Sequence, residues 1–148
     1  MSLEEKRAAR AARKAALQAA YERQAEIDLD ALNAAEIEHG DNRVCYVEVP
    51  YVEGYPTMAI AVAPSRDVVS RYRTLCGRAQ SGNKTDHGAI LEATKQVARC
   101  SVIYPAKGSK DDPGEWERMC DQWQGLEGTL GAKAIQLHGA IERDEGNG

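Results

Sequence analysis

Alanine and charged residues dominate the first 39 positions of the chain, which contain neither glycine nor proline. Alanine is the strongest helix former, and Ser2 followed by Glu5 matches a capping box. Residues 2–38 are therefore predicted to form one long helix or two in series, ending near Gly40. Large apolar residues are sparse before Ile27, so we expect the first half to be a solvated arm or to pack on a partner.

The second half of this segment has a partial apolar face. Ile27, Leu29, Leu32 and Ile37 recur at roughly helical spacing. We expect this half to dock on the body of the protein.

Two runs of residues with strand character follow this helix. The first is rich in β-branched and aromatic residues, and the second alternates larger apolar residues with alanine. Residues 44–49 and 57–63 are typical of strands, and the glycine and prolines between 50 and 56 are typical of a turn. The two runs predict a hairpin. Because two strands alone are marginally stable in water, helices must cover one face.

The remaining pattern predicts about four helices around the hairpin. The first starts at Ser65 as N-cap, with Val68, Val69, Tyr72, Leu75 and Cys76 on its buried face. A polar loop over 80–88 precedes a helix over 89–99, whose inner side holds Ile90, Leu91, Thr94, Val97 and Ala98. Residues 100–104 are extended before Pro105, and whether they form a third strand is left open.

Two C-terminal helices complete the pattern. Asp112 as N-cap, Pro113 and Glu115 predict the start of the first. Gly125 and Gly128 predict a turn, Thr129 a second cap, and the small residues Gly131 and Gly139 a close helix approach. The fold class is therefore α+β, with a helical arm over 1–41, a small domain over 42–142 and a disordered tail over 143–148.

Charge divides the arm into two halves. Residues 1–23 hold six Lys or Arg against three Glu, whereas residues 24–42 hold six acids and no Lys or Arg. The whole chain of 148 residues carries a formal charge of −4, which argues against a generic nucleic-acid binder. No aromatic residue lies among the basic positions of the arm, which are Lys6, Arg7, Arg10, Arg13 and Lys14.

No export or membrane signal is visible: the N-terminus has no apolar h-region, and no apolar run approaches 18 residues. Cys45, Cys76, Cys100 and Cys120 form no C-x-x-C pair and are expected to be reduced, buried residues. The alternative is a disulfide, which would require an oxidising compartment. We expect a cytosolic protein.

No catalytic or metal-binding pattern is recognisable. The three histidines, at 39, 87 and 138, have no partner at metal or triad spacing. His39 is expected to end a helix, and His138 to be packed on an apolar face. Asp86 and His87 are adjacent, and as a general-base pair they would need a nucleophile nearby. Ser81 and Ser101 are available, but nothing in the sequence places either of them close to this pair. The expectation is a protein without catalytic residues, metal or cofactor.

The order of elements over residues 29–141 resembles the small tail assembly chaperones of long-tailed bacteriophages. The resemblance rests on pattern and lacks a catalytic motif. Its features are the helix end at 29–40, the strand pair at 44–63, the helix start at 64–72, the run from Val97 to Pro105, and closing helices with Trp116, Trp123, Leu130, Gly131, Ile135, Leu137 and Gly139.

The resemblance implies binding without chemistry, to the tape measure protein or tail tube subunits, in the host cytoplasm. Such binding needs an exposed apolar face. The candidate partner-binding residues are Trp116, Met119, Trp123, Leu130, Ile135 and Leu137, and the alternative is that they form the core. The arm is the second candidate surface.

Competing classes remain. A structural virion or adaptor protein could lock into neighbours through the arm, and would then be located in the virion. The third class is a nucleic-acid-associated regulator, and the fourth is an enzyme of unrecognised type. A homo-oligomer is left open, and a membrane partner is not expected.

Overall fold

The computed structural model describes residues 2–147 and confirms the α+β class. Five helices surround a three-stranded antiparallel sheet, and a second sheet has two short strands. In chain order the elements are α1 (Leu3–His39), β1 (Val44–Glu48), β2 (Met58–Val62), α2 (Arg66–Ala79), β3 (Gln80–Ser81), β4 (Lys84–Thr85), α3 (His87–Ser101), β5 (Val102–Tyr104), α4 (Glu115–Gln122) and α5 (Leu126–Asn147).

The arm is a single helix, α1, with the predicted cap at each end. The Ser2 hydroxyl accepts the Glu5 backbone N–H at 3.1 Å, and the Glu5 carboxylate accepts that of Ser2 at 3.2 Å. At the other end Gly40 has a φ of +95° and donates its N–H to the Glu36 carbonyl at 2.8 Å. A positive φ favours glycine, which explains why the helix ends there.

The predicted docking face of α1 is wrong in three of its four members. Leu32 is buried as expected, but its neighbours on the docking face are Asp28 and Ala35. Ile27, Leu29 and Ile37 are 57%, 50% and 86% exposed. The spacing of residues 28, 32 and 35 is that of one helix face, so the second half does dock, but through a face rotated from the expected one.

The three-stranded sheet has the order β1-β2-β5, which settles the open question of the third strand. Tyr46 lies opposite Ile60 in the first pair, and Ala61 lies opposite Val102 in the second. The central strand β2 is covered on both faces. Met58 and Ile60 pack with Leu32 and Ala35 of α1.

The other face of β2 forms the larger core. It joins Ala59 and Ala61 to side chains of α3, β5, α4 and α5, namely Ala98, Val102, Trp116, Met119, Leu126 and Leu130. Alternate residues of β2 therefore serve two separate cores, one for the arm and one for the body.

The start of α2 agrees with the sequence, because Ser65 caps it by accepting the Val68 N–H at 3.3 Å. Only Val69 of the predicted inner face is fully buried. The predicted loop over 80–88 instead contains the β3–β4 hairpin, and α3 begins at His87, two residues earlier than expected. On α3, Leu91 is exposed and the buried face is Ala93, Val97, Ala98 and Ser101.

Both C-terminal helix starts differ from the prediction. Asp112 does not cap α4. The N-cap is Gly114, and the Glu117 carboxylate accepts the N–H groups of Gly114 at 2.9 Å and Gly108 at 3.0 Å. Desolvation raises the pKa of Glu117, but these backbone donors outweigh it and hold the pKa below its usual value. Helix α5 begins at Leu126, so Thr129 is inside it.

The tail expected to be disordered over 143–148 is helical through Asn147, and residue 148 lies outside the described residues. An exposed ion pair between Arg43 and Glu145, at 3.6 Å, joins this end of α5 to the start of the sheet.

The close approach of two helices that was expected at Gly131 is confirmed. A Cβ there would lie 2.1 Å from the Thr94 carbonyl oxygen of α3, whereas Gly139 has only the end of Arg143 nearby, at 3.6 Å.

Candidate partner-binding surfaces

The structure divides the predicted partner-binding residues into two groups. Trp116, Met119 and Leu130 are almost completely buried in the main core. A partner cannot reach them in this conformation, so for these three the alternative role in the core holds. Trp123, Ile135 and Leu137 are half-buried and retain accessible surface.

Trp123 belongs to a small aromatic cluster at the edge of the core. Its ring meets that of Tyr55 edge to face, with centroids 5.5 Å apart. The Arg118 guanidinium lies 4.9 Å from the centroid of the Tyr55 ring, a distance at which a cation and an aromatic face attract each other. The cluster orders the loop between β1 and β2 against the end of α4.

An apolar groove lies between α2 and α3, with a volume of about 190 Å³. Half-buried Val68, Tyr72 and Leu75 line it from α2. Burial raises the pKa of the Tyr72 hydroxyl, with a further contribution from Cys76, so Tyr72 is neutral at physiological pH. The side chains that α3 contributes are Ala93, Gln96, Val97 and Cys100. This groove was not anticipated from the sequence, which placed Val68, Tyr72, Leu75 and Val97 on buried helix faces and Cys100 in an extended run.

A second, more open cleft of about 770 Å³ lies at the β3–β4 hairpin. It brings Ser81, Asp86 and His87 to one rim, the combination considered above for a catalytic pair. The Asp86 carboxylate is engaged as the cap of α3, accepting the Ala89 N–H at 3.0 Å. Within residues 2–147 no hydrogen bond joins His87 to either Asp86 or Ser81.

His138 is a packed residue, as expected. It is 8% exposed, and its Nδ1 lies 3.2 Å from the Pro64 carbonyl oxygen and its Nε2 lies 2.7 Å from Glu142. The hydrogen bond from His138, followed by that from Arg73, lowers the pKa of Glu142. These contacts tie α5 to the start of α2.

The four cysteines are free. Cys45, Cys76 and Cys120 are half-buried, but Cys100 is exposed, contrary to the expectation of burial. Burial raises the pKa of Cys45, and that of Cys120 to about 12. Those two side chains are therefore neutral thiols near pH 7 and poor nucleophiles.

Asp28 is a buried carboxylate whose structural role the sequence did not predict. It accepts the Thr57 backbone N–H at 2.6 Å and the Thr57 hydroxyl at 2.5 Å. The Tyr104 hydroxyl and, at 2.9 Å, the Gln24 amide also donate to it. Desolvation and this hydrogen bond to Asp28 raise the pKa of Tyr104 well above its usual value. Asp28 thus joins α1 to β5 and to the residue before β2.

The N-terminal half of α1 extends beyond the body. Residues 2–18 are all exposed, and Ala19 and Ala20 are half-buried. The Tyr21 ring then meets that of Tyr51 edge to face, with centroids 5.7 Å apart. The five basic arm residues lie within this exposed stretch. Their positions 6, 7, 10, 13 and 14 follow the i, i+1, i+4, i+7, i+8 pattern of one helix face.

Over residues 2–147, no group of three or more His, Cys, Asp or Glu side chains could hold a metal ion. None of the helices in this range combines the length and apolar composition that a membrane span requires. Comparisons with protein-family models, with curated proteins and with solved structures found no match.

Proposed function

We propose that the protein is a non-enzymatic assembly factor, a tail assembly chaperone of the long-tailed bacteriophage type, which binds the tape measure protein or tail tube subunits. The observation that carries the proposal is the apolar groove between α2 and α3. It replaces the buried Trp116, Met119 and Leu130 as the partner-binding surface.

The groove has the chemistry of a site for an amphipathic helix. Val68, Tyr72 and Leu75 offer accessible apolar surface from α2, and Gln96 and Cys100 line the groove from the adjacent helix α3. Such grooves bind the apolar face of a partner helix through i, i+4 and i+7 side chains. Asp67 and Arg71 are exposed and also line the groove, so they can form polar contacts that fix the orientation of the partner. A tape measure protein, being long and helical, would offer this type of ligand.

A structural virion or adaptor role is the second candidate, and the exposed arm favours it. An isolated helix of alanine and charge gains little from its own side-chain packing. An arm that extends beyond the body is therefore suited to contact neighbouring subunits in a particle.

The groove is tested by capture of the partner in cells that produce particles. The tagged protein is purified, and tape measure and tail tube proteins are quantified by mass spectrometry. Leu75→Glu places a charge in the groove and should lower their capture about 10- to 100-fold, since burying a leucine side chain contributes roughly 1.5–3 kcal/mol. Leu91→Glu is the matched control, because Leu91 lies outside the groove on α3 and is already exposed.

The circular dichroism spectrum and the urea midpoint of both variants establish that they are folded. Capture of neither protein by the unchanged chain, or equal loss of capture in both folded variants, would contradict a chaperone that acts through this groove.

A further inference from the structure

The basic face of the arm has one acid at pairing distance on its own helix, Glu4, three residues before Arg7. Arg10 has like-charged neighbours at i−4, i−3, i+3 and i+4, namely Lys6, Arg7, Arg13 and Lys14. Like charges at these spacings destabilise a helix by a few tenths of a kcal/mol per pair. No salt bridge to any of these five residues occurs in the part of the chain that the structure describes.

Exposed apolar side chains lie on this same face. Leu3 is 63% exposed and Leu17 is 53% exposed. Leu17 is 11 residues before the buried Asp28, and 11 residues make about three helical turns. The basic face of the arm therefore points to the same side of α1 as its docking face, but beyond the edge of the body.

The second half of α1 carries a face of the opposite charge. Glu26, Ile27, Asp30, Ala34 and Ile37 are all exposed, and their spacing places them on one side of the helix. This acidic face combines carboxylates with apolar surface, and it points away from the body because the opposite side of the same turns is buried.

The two faces cannot meet within one chain. Arg10 and Asp30 are separated by 20 residues, which corresponds to five full rotations and roughly 200° more at about 100° per residue. They therefore lie on nearly opposite sides of one continuous helix. A basic and apolar face on one copy can, however, contact an acidic and apolar face on a second copy.

We infer that the protein self-associates head to tail, the basic face of one arm packing on the acidic face of the next copy's α1. This pairing satisfies the cations around Arg10 and covers Leu3, Leu17, Ile27 and Ile37 in one contact. Because the two patches differ, the contact is heterologous and repeats into a ring or an open chain. The inference is independent of the partner proposed for the groove between α2 and α3.

Charge favours a second copy over nucleic acid as the occupant of the basic face. A second copy supplies both acids and exposed apolar side chains, whereas a phosphate backbone leaves Leu3 and Leu17 uncovered. The whole chain carries −4, so the body repels a polyanion that the arm would attract.

The mass of the full chain in solution tests the inference. By sedimentation equilibrium, the weight-average mass should rise with protein concentration above 16.1 kDa at about 50 mM NaCl. It should return towards that value at about 500 mM, because the screening length shortens with salt. Two double variants should each give monomers. One is Arg10→Glu with Arg13→Glu, and the other is Glu26→Lys with Asp30→Lys. Lys84→Glu with Lys110→Glu changes the charge as much as the first variant, at exposed sites off the arm, and should still associate.

Mixing the two arm variants identifies the type of contact. Each retains one intact face, and the two altered faces are again opposite in charge, so the mixture should recover the association that neither variant shows alone. A monomeric unchanged chain at every concentration, or a mixture that stays monomeric, would overturn the inference. So would a dimer that persists in either arm variant alone, since that contact would be symmetric. Salt-dependent binding of a DNA or RNA duplex by a chain that stays at 16.1 kDa would assign the basic face to nucleic acid instead.

Discussion

Asp28 shows most clearly how a single side chain positions the arm. Its carboxylate is fully buried and receives hydrogen bonds from Thr57, Tyr104 and Gln24. A buried carboxylate is tolerated only when its acceptor positions are filled, and here those bonds join residues of α1, the loop before β2 and β5.

Replacing Asp28 should therefore destabilise the protein far more than replacing an exposed acid on the same helix. In Asp28→Asn an amide N–H₂ faces the Thr57 or Tyr104 donors, and the free energy of unfolding should fall by about 2–4 kcal/mol. Asp30→Asn, two residues further on and exposed, should change it by less than about 0.5 kcal/mol. Urea unfolding followed by circular dichroism measures both. Equal effects of the two changes would show that the Asp28 contacts contribute little.

The sequence could not reveal this role, because the partners of Asp28 are distant along the chain. Thr57 is 29 residues away and Tyr104 is 76 residues away. Local signals were more informative at this scale. Ser2 and Ser65 were predicted correctly as caps since each bonds to a backbone N–H three residues later.

At the scale of elements, the packing of α5 on α3 depends on Gly131. Gly131→Ala should destabilise the fold by about 1–3 kcal/mol, because the new Cβ would lie 2.1 Å from the Thr94 carbonyl oxygen and force the helices apart. In Gly139→Ala on the same helix the new Cβ would meet only the end of Arg143, at an ordinary contact distance of 3.6 Å, and the change should stabilise by up to about 1 kcal/mol through helix propensity. Thermal unfolding of the two variants gives the comparison. A stabilising alanine at 131 would be incompatible with this close packing.

The sequence predicted the helix boundaries at Ser2, Gly40 and Ser65 correctly, but it missed or misplaced others. The start of α4 is held by Glu117, which accepts the N–H of Gly114, three residues earlier, and that of Gly108, nine residues earlier. The pattern at Asp112 and Pro113 was therefore misleading. The β3–β4 hairpin was missed because four exposed polar residues resemble a loop. The third strand was left open because its pairing with β2 joins residues more than 40 positions apart.

At the scale of the molecule, β2 links an arm to a body through two separate cores. The sequence indicated the α+β class and the long helix, since these follow from alanine content and strand periodicity. It could not indicate which side of α1 faces the sheet, because Ile27, Leu29 and Ile37 are apolar yet exposed. For the same reason it could not separate the buried Trp116 from the half-exposed Trp123.

The division into body and arm also determines where partners can bind. The apolar groove between α2 and α3 belongs to the body, and the charged faces belong to α1. A chaperone needs the first surface while assembly proceeds, whereas a structural component would keep its contacts in the finished particle.

Quantitative mass spectrometry of purified particles from the source cells, alongside the unassembled fraction, tests the chaperone proposal most directly. We expect the protein in the unassembled fraction, together with the tape measure or tail tube protein, and no fixed number of copies in the particles. A constant ratio of this protein to the tail proteins in purified particles would contradict a chaperone and indicate a structural component.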